Sequence, residues 1–214
     1  MTSVRGKQLF GLLIDPGAAR GLIGTETLRI LFKEVLHPRN LVGQVIWKTS
    51  KNAFSGISAK AETSLGLVTF PIGLVGLRSA SFSADVIGDA ASLCPGLVPL
   101  KSLIELGCCM LFAYFPNGDG LLGIWNKPTG TWCPQRLHLT DSGHYLLRID
   151  KFDEVATDKA LQKGIQAATA PLSSMGDKQE AQSAALFTGV VTLLADNTTE
   201  HDDEQDDSGK PVFR

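Results

Sequence analysis

Short apolar runs broken by glycine and proline set the rhythm of this chain. Lys7-Gln8-Leu9-Phe10-Gly11-Leu12-Leu13-Ile14 reads as one buried strand, stopped by the turn sequence Asp15-Pro16-Gly17. Residues 25–36 predict a helix: Leu28, Leu31, Phe32 and Leu36 share one face, Thr25 stands at the cap position and Pro38 lies just beyond the end. Strand patterns return at Val45-Ile46-Trp47, at 53–57, at 65–72 and at 80–87, the last running into Gly88. Residues 99–106 predict a short helix with Leu100, Leu103 and Ile104 facing inward. Residues 108–115 and 121–125 predict a hairpin around Pro116-Asn117-Gly118-Asp119-Gly120. A second pair, 135–139 and 144–149, flanks Asp141-Ser142-Gly143.

The pattern changes near Asp150, where large apolar residues thin out. This places a folded domain at 1–150 and a polar, acidic tail at 151–214, partly disordered, with one helix at 179–194 and a solvated acidic run at 200–207. A chain of 214 residues holds one domain with extensions or two small ones. Its 22 glycines and 10 prolines predict many turns, hence short strands rather than long helices. With 20 basic against 22 acidic residues, the net charge of −2 leaves no electrostatic footprint for direct nucleic-acid binding. The first residues carry no apolar stretch of signal length, and no run is long enough to span a membrane, so a cytoplasmic protein is expected. Cys94, Cys108, Cys109 and Cys133 match no zinc spacing and are expected to be free thiols.

One feature carries chemistry. Asp15 ends a buried strand and is followed by Pro16, Gly17 and Ala18. A carboxylate at a strand tip is costly unless hydrogen-bonded. The backbone N–H groups of Gly17 and Ala18 are candidate donors, and glycine lets the chain approach closely.

Ile14-Asp15-Pro16-Gly17-Ala18 resembles the Asp-Thr/Ser-Gly-Ala signature of retropepsins, the aspartic proteases of retroviruses and LTR retrotransposons. About 70 residues on, Val86-Ile87-Gly88-Asp89 and the residues after it resemble that family's second signature, two apolar residues and a glycine before a polar residue and a short helix. The stretch 47–57 looks like a flap hairpin, with 49–52 as the part that closes over substrate, and 65–72 is similar to the strand after the flap in retrotransposon members. The resemblance covers roughly residues 8–125.

It implies an all-β fold, a single-lobe closed barrel with a ψ-loop active site and one or two short helices, working as a homodimer. Asp15 is then catalytic; Pro16, Gly17 and Ala18 form its loop, and Val86, Ile87, Gly88 and Asp89 supply the second signature, the first three packing beneath it. The activity implied is hydrolysis of extended peptides by water held between two Asp15 carboxylates, with no metal and no cofactor. The implied substrate is the element's own polyprotein, processed in the cytoplasm or in virus-like particles.

Pro16 departs from the family, which has Thr or Ser there. Proline offers neither the hydroxyl nor the N–H that knit the two active-site loops together. The alternative is therefore a catalytically silent retropepsin-like module for dimerisation or peptide binding. Four other constellations lack the context their chemistry needs. Asp141-Ser142-Gly143 looks like a second catalytic triplet, but no flap or second signature follows it. Gly118 to Gly123 spells GxGxxG without a helix behind it. His138, His144 and Cys133 lack metal-ligand spacing, and Ser142 beside His144 has no nucleophile elbow.

Overall fold

The sequence breaks its backbone at glycine-rich turns, and most segments between them pair edge to edge. The computed structural model describes residues 2–55, 61–88 and 91–154, together with Lys163 and Ile165. The strands begin with β1 (Thr2–Val4), β2 (Lys7–Leu9), β3 (Gly11–Asp15) and β4 (Leu22–Gly24), followed by helix α1 (Thr25–Leu31). Next come β5 (Ile46–Lys48), β6 (Ala53–Phe54), β7 (Glu62–Thr63), β8 (Gly66–Leu74) and β9 (Leu77–Ile87). The last are β10 (Gly96–Pro99), helix α2 (Leu100–Glu105), β11 (Cys109–Leu111), β12 (Gly120–Asn126), β13 (Thr131–Leu139) and β14 (Tyr145–Arg148).

Ten strands form one sheet in the order β11-β12-β13-β14-β3-β10-β4-β9-β8-β5, while β1-β2 and β6-β7 are separate two-stranded ladders. Among the described residues the fold is mostly β, with α1 and α2 as its two short helices. The expected closed barrel is not observed: among the described residues no ladder joins the outer strands β5 and β11. Closure needs two outer strands able to present matching edges. Here each has three residues, and β5 is exposed along its whole length.

The core lies where alternating positions of the sheet meet α1. Leu12, Ile14, Ile23, Val68, Phe70 and Leu137 are buried there with Leu28 and Leu31 of the helix. Phe70 and Phe82, opposite each other across β8 and β9, meet edge to face with ring centroids 5.9 Å apart.

Four local expectations are revised. The run 7–14 splits at Phe10, because β2 turns back on β1 while β3 enters the main sheet. The cap position of α1 falls on Gly24 rather than Thr25, and the helix runs on into a wider turn at Phe32–Leu36. In α2 only Leu103 is buried and Ile104 is 54% exposed, since six residues are too few to lay a full stripe on the sheet. Strands are also longer than the glycine count suggests, nine residues in β8 and eleven in β9. Several glycines serve close approach inside strands instead of turns: a Cβ on Gly73 would stand 2.4 Å from the Phe152 backbone nitrogen.

Backbone pairing continues past the composition change at 150: the N–H of Lys151 donates to Gly73 and that of Gly76 to Glu154. The first compact unit extends to Gln166. The second, Ala167–Arg214, lies outside the described residues, and with it the expected helix at 179–194 and the acidic run. Among the described residues no helix is long and apolar enough to cross a membrane.

A buried carboxylate ties the N-terminal ladder down. Arg5 and Gly6 both take positive φ, forming the two-residue turn between β1 and β2. This aims the Arg5 guanidinium at Asp119, which is fully buried. Arg136 Nε donates to Asp119 at 2.8 Å and the Leu139 N–H at 3.0 Å. Asp141 holds the same turn through Ser3 Oγ and the Arg5 N–H. Burial alone would raise the Asp119 pKa, but the bonds from Arg5, Leu139 and Arg136 outweigh it and pull the group down to about 2. A depressed carboxylate stabilises the fold above its ordinary value of 3.8 and loses that contribution as pH falls through about 2. Asp119→Ala should therefore cost about 3 kcal/mol in urea unfolding at neutral pH. The wild type should lose stability from pH 4 downward more steeply than Asp119→Asn.

Candidate active site

β3 and β4 are consecutive strands joined by the turn that follows Asp15, yet they do not pair with each other. β10 lies between them, parallel to β3 and antiparallel to β4. The result is a ψ-shaped crossing with Asp15 at its mouth. Leu13 and Ile14 are buried and Asp15 emerges half-buried at the end of the strand. Gly17 donates its N–H to Asp15 Oδ1 at 3.0 Å, and Ala18 donates to the Asp15 carbonyl at 3.1 Å. Pro16 and Gly17 are exposed beside the carboxylate. A Cβ on Gly17 would lie 3.4 Å from Asp15 Oδ1, so the turn is close without being closed to substitution.

The strand beside Asp15 is not the expected one. Val86 and Ile87 end β9, which pairs with β4 through Ile23↔Val86 and Gly24↔Ile87. Two strands, β4 and β10, separate them from β3, so the expectation that Val86, Ile87 and Gly88 pack beneath Asp15 is corrected. Gly88, at φ +82, instead makes room for Ser92, whose side chain would touch a Cβ there at 2.3 Å. The Ser92 carbonyl accepts the Glu26 N–H at the start of α1. Asp89 lies outside the described residues.

The neighbour of Asp15 is Pro99, with Val98 beside Ile14 and Leu97 beside Leu13. Pro99 then opens α2. Two apolar residues followed by a short helix were legible at 97–105, but Pro99 stands at the junction and Val86-Ile87-Gly88 matched the pattern better. A residue without an N–H fits here because the strand ends at it. Gly96 permits the close ladder: a Cβ on it would meet Leu12 Cδ2 at 2.4 Å.

The arm that follows β5 is a hairpin of β6 and β7, paired Ala53↔Thr63 and Phe54↔Glu62. Residues 49–52, expected at the closing end, form its base; residues 56–60 lie outside the described residues. Sequence reasoning also missed the group that receives this base. Asp85 of β9 is 1% exposed, and Ser50, Asn52 and Ser64 all donate to its carboxylate.

Burial pushes the thiols of Cys94, Cys109 and Cys133 up, and that of Cys108 to about 11, so they are poor nucleophiles at neutral pH. Among the described residues no group of three His, Cys, Asp or Glu is placed to hold a metal ion. Gly118 to Gly123 leads into β12 instead of a helix. Ser142 and His144 belong to the exposed turn between β13 and β14.

No family model, curated protein or solved structure matches the chain.

Asp15→Asn retains the oxygen that accepts the Gly17 N–H. Its urea unfolding free energy should stay within about 1 kcal/mol of wild type, which makes it a folded control for the chemistry.

Proposed function

We propose that this chain is one half of a retropepsin-type aspartic endopeptidase, with Asp15 as its catalytic residue. The observation that carries the reading is the ψ-shaped crossing: a strand tip presents one aspartate, held by a glycine N–H, beside a second strand that leads straight into a short helix. The apolar pair and helix of the family's second signature correspond, on this reading, to Leu97, Val98 and α2. Proline stands where the family has glycine. The arm whose legs are residues 49–55 and 61–65 corresponds to the flap.

One aspartate per chain requires a second copy. Two Asp15 carboxylates side by side cannot both ionise easily and share one proton. The ionised one takes a proton from a water, whose oxygen attacks the peptide carbonyl. The protonated one donates to the carbonyl oxygen, and the tetrahedral intermediate collapses with proton transfer to the leaving amine. An extended peptide lying under the arm is the substrate class, and processing of a polyprotein of a retrotransposon is the role the resemblance suggests.

A second reading is favoured by Pro16, which has no N–H and no hydroxyl to tie its loop to that of the other copy. On that reading the fold is a silent module for dimerisation or peptide binding.

The test is cleavage of a mixed peptide library from mildly acidic to neutral pH, at a concentration where scattering reports a dimer. Cleavage that disappears in Asp15→Asn is the expected result. Pro16→Thr should then raise kcat/KM about tenfold by restoring loop precision. A folded dimer that binds peptides without cutting them would establish the silent module.

A further inference from the structure

Along β9 the side chains alternate, with Phe82, Ala84 and Val86 buried and Ser81 and Ser83 exposed. The period places Asp85 on the solvent side with the serines. It is nevertheless buried, because the base of the 49–65 arm folds over it. Both legs of the arm converge on this one carboxylate. Ser50 Oγ from the first leg and Ser64 Oγ from the second donate to Oδ1, the latter at 2.7 Å, and Asn52 Nδ2 donates to Oδ2 at 3.0 Å. The Ser64 N–H donates to the Asn52 carbonyl and ties the legs to each other, and the Leu65 N–H donates to the Val86 carbonyl and ties the second leg to β9.

The same residue touches the Asp15 turn. The Asp85 N–H donates to the Gly21 carbonyl at 2.9 Å, where the turn re-enters the sheet. Gly21 presses so closely on β9 that a Cβ would stand 2.4 Å from the Ser83 carbonyl. Arg20, in the turn, contributes its positive charge to the Asp85 site. Beyond its base the described residues of the arm form a two-residue ladder with exposed Ala53, Glu62 and Thr63. A ladder of that size does not order itself in water.

We propose that Asp85 is a positioning residue that fixes the angle at which the two legs of the arm, residues 49–54 and 62–65, stand to the Asp15 turn. The carboxylate works as a hub because its two oxygens satisfy three donors from two legs while its backbone holds the turn. Its effect on cleavage rests on the protease reading; its effect on the arm does not.

The experiment compares hydrogen exchange across the full chain with steady-state peptide cleavage, in wild type, Asp85→Ala and Asp85→Asn. In Asp85→Ala the described amides at 52–54 and 62–65 should exchange at least about tenfold faster, while those of β3 and β10 keep their protection. KM should rise about tenfold with kcat within about threefold, since the arm grips substrate and Asp15 performs the chemistry. Asp85→Asn should recover most of both, because its amide can donate to a serine Oγ and still accept from Asn52. Unchanged exchange in the arm would overturn the proposal, as would equal loss of protection in β3 and β10. If Asp85→Ala does not fold, the double variant Ser50→Ala/Asn52→Ala removes the first leg's grip and gives the same readout. A wild type that cuts no peptide would overturn the protease reading alone, since the exchange data test the hub without it.

Discussion

The ladder between β3 and β10 is the interaction on which the rest depends. Two strands adjacent in the chain leave a gap between them, and a strand about 80 residues downstream fills it. Every buried backbone N–H and C=O needs a partner, so neither β3 nor β4 can keep its place without β10. Gly96 lets β10 come in against Leu12, and Pro99 ends it at the level of Asp15. The entropic cost of closing so long a loop is met by the core formed by Leu12, Ile14, Ile23 and Val98 once the strand is seated.

From this insertion follows the presentation of Asp15. The crossing forces the chain after β3 to leave the sheet, and the turn that results places the Gly17 N–H at the carboxylate. β4 can then pair with β9, and β9 carries Asp85 to the point where the turn and the arm meet. Two buried aspartates thus do related work at different places. Asp119 secures the N-terminal turn through arginines, and Asp85 secures the arm through neutral donors. Among the described residues no buried side-chain polar atom lacks a partner, as expected where buried carboxylates serve as ties.

The difference in partners has a physical consequence. Arginine bonds are charge-assisted and hold Asp119 down to about 2. At Asp85 burial works against the charge, and three neutral donors with Arg20 outweigh it, leaving the group lowered. Ties made by hydroxyls and an amide need no long, flexible side chain from the arm, so the legs are held close to the strand.

Local patterns were legible in the residues alone: the strand that ends at Asp15, both C-terminal hairpins, the position of α2 and the mostly β composition. Each rests on near neighbours, through periodicity and turn chemistry. What tertiary structure decided was which distant segments meet. Val86-Ile87-Gly88 had the better local match, yet Pro99 lies beside Asp15, with Val98 and Leu97 beside Ile14 and Leu13, because strand partnership is set by core filling and backbone pairing across the whole sheet. The burial of Asp85 was hidden for the same reason. Alternation along β9 assigns it to solvent, and only the folding of residues 50, 52 and 64 over that face takes it out of water.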